Sequence, residues 1–248
     1  MNERPDWYEF WVIRKFLRNS TLDKDSWYGF FSPKFKNKTG LNHQNVMNYI
    51  LECKKKNDVI IFSHYCWDQI AYFQNPFFQG NFFHPGLLDL SQQFLDSLNI
   101  NLKLNKMVTH SLSTVFGNFV VAKPNYWIKW LALADLFFDI VEQNKTEFAN
   151  ILNKKTSYGS KLVQAPIKTF IQERFPSIIF VKENLKISSL NLSENTPIYH
   201  RIFKENKLTR SLLQKCDSLK IKYCTTGKKK FLDMYNKTKK LIPINISV

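Results

Sequence analysis

Glycine is scarce in this chain, with seven residues among 248. Phosphate-cradling loops depend on it. Neither G-x-x-x-x-G-K-[ST] nor G-x-G-x-x-G occurs, which excludes the P-loop and dinucleotide fingerprints at the motif level. There is also no G-x-S-x-G and no H-E-x-x-H, so nucleophile-elbow hydrolases and zinc proteases find no specific support. The four cysteines, Cys53, Cys66, Cys216 and Cys224, form no C-x-x-C pair. Neither a zinc knuckle nor a redox pair is indicated, and free thiols in a reducing compartment are expected. No run of about 18 apolar residues occurs, so no membrane-spanning helix is expected. The opening Met1-Asn-Glu-Arg-Pro-Asp lacks an apolar leader core, and a cytoplasmic location is expected.

Acidic residues are also few, 20 against 36 basic ones, for a net charge of +16. The excess is uneven. Residues 200–248 hold 13 basic and 3 acidic side chains. Lys228, Lys229, Lys230, Lys237, Lys239 and Lys240 cluster there, and such a group attracts phosphate-bearing surfaces. Anionic lipid, nucleic acid and nucleotide-linked substrates all qualify, and so does a plain solvated tail. Hydrophobic residues make up 44% and aromatics 15% of the chain, enough to build a core without help.

Hydrophobic periodicity predicts a helix over residues 7–18 capped by Asp6, and a helix over 42–55 capped by Asn42. Residues 26–32 read as a strand. So do residues 58–63 (DVIIFS), a continuous run of four apolar residues that are β-branched or aromatic. Pro85 is expected to open a helix to residue 98, and a strand is expected around 115–121. Pro124 opens a helix to residue 143. A helix over 167–174 is expected to stop at Pro176, with a strand over 177–181. Two basic helices are expected over 206–222 and 228–241. The strand–helix–strand order predicts an α/β fold with a partly parallel sheet over residues 1–199, and a basic helical extension over 200–248.

Three segments carry candidate chemistry. Ligands of open α/β sheets gather beyond the carboxyl ends of strands. For DVIIFS that end presents Ser63, His64, Asp68 and Gln69. Asp68 can hold a cation, bind a sugar hydroxyl, act as a general base, or simply favour a helix N-terminus. The loop QGNFFHPG (79–86) combines Gln79 and His84 with two aromatics. His84 can be a base, a phosphate contact or a structural imidazole. In SLSTVFGNFVVAKP (111–124), Asn118 and Lys123 flank an apolar stretch, and Lys123 can meet a phosphate beside a helix start. The one D-x-D, Asp23 and Asp25, has the spacing that holds Mn²⁺ or Mg²⁺ against a diphosphate, but its polar setting reads as a turn.

These segments bring a resemblance into view. Asp6-Trp-Tyr-Glu-Phe-Trp-Val-Ile-Arg-Lys-Phe-Leu, Trp27-Tyr-Gly-Phe-Phe-Ser-Pro-Lys-Phe and Lys38-Thr-Gly-Leu are followed by Asp68-Gln69, Phe78-Gln-Gly80 and His84-Pro-Gly86. Val115-Phe116 with Asn118, Ala122-Lys-Pro124 with Trp127, and Pro166-Ile-Lys-Thr-Phe with Glu173-Arg174 complete the set. Over about residues 5–180 the chain resembles glycosyltransferase-like proteins of bacterial capsule and lipopolysaccharide loci. The resemblance implies a GT-A-like layered sheet, N-terminally shortened here because similar proteins carry a further strand-rich segment before the Asp6-Trp7 run. It also implies a nucleotide-sugar donor and a glycan or lipid-linked acceptor. Asp68 would then be base or metal contact and His84 base or phosphate contact. Lys34 or Lys123 would steady the leaving phosphate, with the basic helices on the anionic inner membrane. Two alternatives stay open: a non-catalytic accessory of surface-glycan assembly, and a nucleic-acid-binding protein, which no helix-turn-helix, zinc-finger or RNP-type motif supports.

Overall fold

The computed structural model describes residues 2–143, 145–158, 160–190, 196, 198 and 202–244. A 3-10 turn, Pro5–Trp7, leads into α1 (Tyr8–Asn19), and β1 is the pair Tyr28–Gly29. Then come α2 (Phe35–Thr39), α3 (His43–Cys53), β2 (Val59–Ile61) and, after the 3-10 turn His64–Cys66, α4 (Trp67–Tyr72). Next are α5 (Pro76–Phe83), α6 (Leu87–Ser97), β3 (Val120–Ala122) and α7 (Pro124–Gln143). They are followed by α8 (Glu147–Asn153), β4 (Lys155–Tyr158), β5 (Ser160–Pro166), α9 (Ile167–Gln172) and α10 (Phe175–Lys182). Last come β6 (Ile187–Ser189), α11 (Lys207–Thr226) and α12 (Lys229–Lys239).

The main sheet has the order β1-β3-β2-β6. β3 is antiparallel to both β1 and β2, and β2 runs parallel to β6, so the sheet is mixed. Successive strand residues face opposite sides, and the packing follows that alternation. Val59, Ile61, Val120 and Ala122 join one cluster with Trp7, Phe10, Trp127, Trp130 and Phe175. Ile60, Phe62, Phe119 and Val121 join another with Phe35 and Val46. Helices therefore cover both faces, which is why residues 59–62 can be wholly apolar. β4 and β5 form a separate hairpin. No helix among the described residues is long and apolar enough to cross a membrane.

Local chemistry explains several boundaries. Asn42 and Asn45 make a reciprocal capping box at the start of α3, and α7 begins at Pro124 as the sequence predicts. Other expectations are corrected. Asp6 does not cap α1; its carboxylate accepts from Arg4 and, at 2.8 Å, from the buried Lys168 ammonium. Pro85 does not open α6, which starts two residues later behind Gly86 at φ +92°. The strand expected over 177–181 is helix α10, with Pro176 in its first turn. A short, fully apolar run fits a buried helix as well as a buried strand, and Pro176 suits the first turn.

The basic C-terminal part packs on the rest of the molecule. Leu213, Cys216 and Leu219 of α11 and Tyr235 of α12 share a core with Trp67, Ala71 and Phe73. The buried Lys220 ammonium reaches across to donate to the carbonyls of Ile70 and, at 2.7 Å, Phe73. It satisfies orphan acceptors at the end of α4. The expected boundary at residues 199 and 200 lies outside the described residues.

Candidate functional site

Beyond the carboxyl end of β2 lies a cleft lined by Glu9, Ile13, Phe30, Ser32, Lys38, Gly117, Asn118, Phe119, Gln172 and Glu173. The topology makes it. Phe62 donates its N–H to Phe119 O at 3.0 Å, so the chain leaving β2 lies beside the chain entering β3. The residues following β1 run to that same end because β1 is antiparallel to β3. Gly117, at φ +80°, takes a left-handed conformation that suits glycine. Asn118 is held on both sides: its Oδ1 accepts from Trp130 Nε1 at 3.1 Å and its Nδ2 donates to Gln172 Oε1 at 3.2 Å.

Glu173 stands where α9 hands over to α10, on the turn that Pro176 enforces. Burial raises its carboxyl pKa, Arg174 and Lys38 pull it back, and Glu9 pushes it up further. Lys38 arrives from α2, with its ammonium 5.9 Å from the Tyr65 ring centroid and 5.6 Å from that of Phe119. Glu9 comes from the first turn of α1. The cleft thus sets a carboxyl group of raised pKa beside a lysine, a second carboxylate and two amides. The raised pKa makes this carboxylate a stronger base than an exposed one, and the lysine can meet an anionic oxygen. The room is small, about 30 Å³, enough for one or two waters or a single functional group.

A buried polar network stands behind Glu173. The Arg174 guanidinium donates to Pro76 O at 2.8 Å, to Phe170 O and to Gln79 Oε1 at 2.5 Å. Gln79 Nε2 donates in turn to Gln69 Oε1 at 2.8 Å. Burial lowers the Arg174 pKa to about 10, against the opposing pull of Glu173. Gly80 packs so closely here that a Cβ would lie 2.8 Å from Leu87 Cδ2 and 2.9 Å from Arg174 Nε and Nη2. The His84 ring stacks on Phe170 at 3.8 Å between centroids, with Nδ1 3.3 Å from Thr156 Oγ1. Burial, helped by Arg174, lowers its pKa to about 4, so the ring is neutral at physiological pH.

The residues singled out in the sequence therefore divide. Asn118 lines the cleft. Gln69, Gln79 and His84 lie in the interior behind it, around Arg174 and Phe170. Ser63 is buried, its Oγ accepting from Phe116 N at 3.4 Å. Asp68 is also fully buried, and its Oδ1 accepts from Gln69 N at 2.8 Å. The His64 side chain lies outside the described residues. Lys34 is exposed at the start of α2. Lys123 is not brought to this end: it sits at the opposite end of the strands, with Nζ 3.5 Å from Asp58 Oδ1. The geometry places Asp68, His84 and Lys123 in no common hollow, because the antiparallel β3 carries Lys123 away from the end that β2 points to.

Asp23 accepts from Asp25 N at 3.0 Å and from Ser26 Oγ at 2.7 Å, so its carboxylate closes a turn. Both hydrogen bonds lie within the turn that the polar sequence predicts. Among the described residues no group of three His, Cys, Asp or Glu side chains converges. Of the six lysines grouped by charge, Lys239 is half-buried with its ammonium 4.5 Å from the Tyr72 ring centroid; the other five are exposed.

Sequence reasoning passed over Glu9, Lys38 and Glu173 as chemical groups, although all three lie inside the segments that carry the resemblance. Their signal is burial and proximity, and neither can be read from spacing across 164 residues. No family model, no curated protein and no solved structure matches the chain.

Proposed function

We propose that the protein transfers a sugar from a nucleotide-activated donor to a surface-polysaccharide or lipid-linked acceptor, in a GT-A-like layered fold at the cytoplasmic side of the inner membrane. The observation that carries the reading is Glu173, a half-buried carboxyl of raised pKa in a cleft beyond a parallel strand, with Lys38 beside it. In that role Glu173 takes the proton from the acceptor hydroxyl as the new glycosidic bond forms. Lys38 stabilises the negative charge that develops on the departing diphosphate. The cleft admits a single functional group, such as the attacking hydroxyl, between the polar Asn118, Gln172 and Ser32 and the apolar Phe30 and Phe119. The resemblance to capsule and lipopolysaccharide proteins points the same way.

A second reading is a non-catalytic accessory of the same assembly. The narrowness of the cleft favours it, since sites for drug-sized ligands run to about 300–1,000 Å³. Thermal-shift titration with nucleotide sugars, with and without Mn²⁺ or Mg²⁺, separates the two. Under the transferase reading a donor raises the melting temperature of the wild type and much less that of Lys38→Ala. Glu173→Gln should then keep donor binding and lose about 100-fold or more in transfer. Silence toward every donor would overturn the transferase reading in favour of the accessory one.

A further inference from the structure

The C-terminal helix α12 divides its side chains sharply. Tyr235 and Thr238 are buried against the body of the molecule, and Tyr235 Oη donates to Tyr72 O at 2.7 Å. Lys239 follows them inward. The opposite side carries Lys230, Met234, Lys237 and, in the turn that closes the helix, Leu241. Their spacing of four, three and four residues stacks them in one stripe. Met234 is 45% and Leu241 67% exposed, and both lysines are exposed. Exposed Lys229 and Lys240 flank the stripe, and Asp233 is the one acid within α12.

We infer that this stripe is a docking face for an anionic lipid surface. Two features select that occupant. The lysines complement a layer of negative headgroups, and lysine stems can lie along apolar surface while their ammonium groups stay at the headgroup level. Met234, between the two lysines, and Leu241, beyond them, gain by entering the boundary of the acyl chains. A nucleic-acid backbone would meet the charges and leave both apolar side chains wet. A second copy of this chain would cover the apolar pair but bring lysine against lysine. The inference is independent of the catalytic reading: the helix docks whether or not the cleft turns over a substrate.

The test is co-sedimentation of the full chain with vesicles of phosphatidylcholine alone and with about one third phosphatidylglycerol. The expected result is binding to the anionic vesicles only. Lys230→Gln with Lys237→Gln should weaken it roughly 25-fold, about fivefold for each lysine. Met234→Ser with Leu241→Ser should weaken it about tenfold and make the remainder easier to strip with salt. Circular dichroism confirms that each variant is folded. Equal binding to neutral vesicles, or none to either, overturns the inference. Tighter binding to an oligonucleotide, insensitive to the Met234 and Leu241 changes, overturns it in favour of nucleic acid. A concentration-dependent dimer in sedimentation, abolished by Leu241→Ser, overturns it in favour of self-association.

Discussion

His84 shows how burial redirects a residue that looks chemical. Its ring is 8% exposed and stacked on Phe170, and burial holds its pKa near 4 instead of the ordinary 6.5. Between those values the unfolded chain binds a proton that the folded one refuses. Stability contributed by the neutral ring is therefore fully present above pH 6.5 and falls as the pH drops toward 4. Urea melts at pH 7.5 and pH 5 should show a loss of roughly 1–2 kcal/mol from this residue. His84→Gln should flatten that part of the profile. An unchanged slope in the variant would place the acid sensitivity elsewhere. The residue was conspicuous in the sequence for its HPG setting, yet the property that decides its role comes from Phe170 and Arg174, far along the chain. Glu173 is the converse case. A Glu-Arg pair at a helix junction looks like solvated charge until Glu9 and Lys38 stand beside it.

At the scale of elements, Lys220 connects two parts of the chain that no pattern links. Its ammonium is fully buried, donates to the carbonyls of Ile70 and Phe73, and has its pKa lowered by burial to about 8. Lys220→Met keeps the bulk and deletes both hydrogen bonds, leaving carbonyls at the end of α4 unsatisfied. Chemical denaturation should show a loss of about 2–4 kcal/mol. A change within 0.5 kcal/mol, about the noise of a surface substitution, would mean the carbonyls are satisfied otherwise. The elements with clean periodicity or a cap were legible: α3 from Asn42, α7 from Pro124, and the two C-terminal helices. The centre of β2 was legible from its apolar run. What misled was α10, where FPSIIFV has no polar side from which a period could be read. The strands of the main sheet are also only two or three residues long in the structure, shorter than their apolar flanks suggest, because the chain turns away to build the cleft.

For the molecule as a whole, the two-sided burial of residues 59–62 was foreshadowed by their uniform apolarity, whereas the first-half strands β1, β2 and β3 pair antiparallel and the parallel partner of β2 is β6, a strand the sequence did not signal. The cleft lies at the end of the sheet to which β2 points. The membership of the cleft was not legible, because it depends on β1, α1 and the α9–α10 junction arriving together. The basic C-terminal part reads from composition as an appendage. In the structure it supplies one wall of a core, and its lysines divide between that wall and the outer stripe of α12. The division has a kinetic meaning. Lys220 and its partner Ile70 are 150 residues apart, so a ribosome must add nearly all of that stretch before Trp67, Ala71 and Phe73 can be covered. A nascent chain should carry this apolar patch bare for most of its synthesis, which makes it a place where chaperones bind and where premature release would favour aggregation.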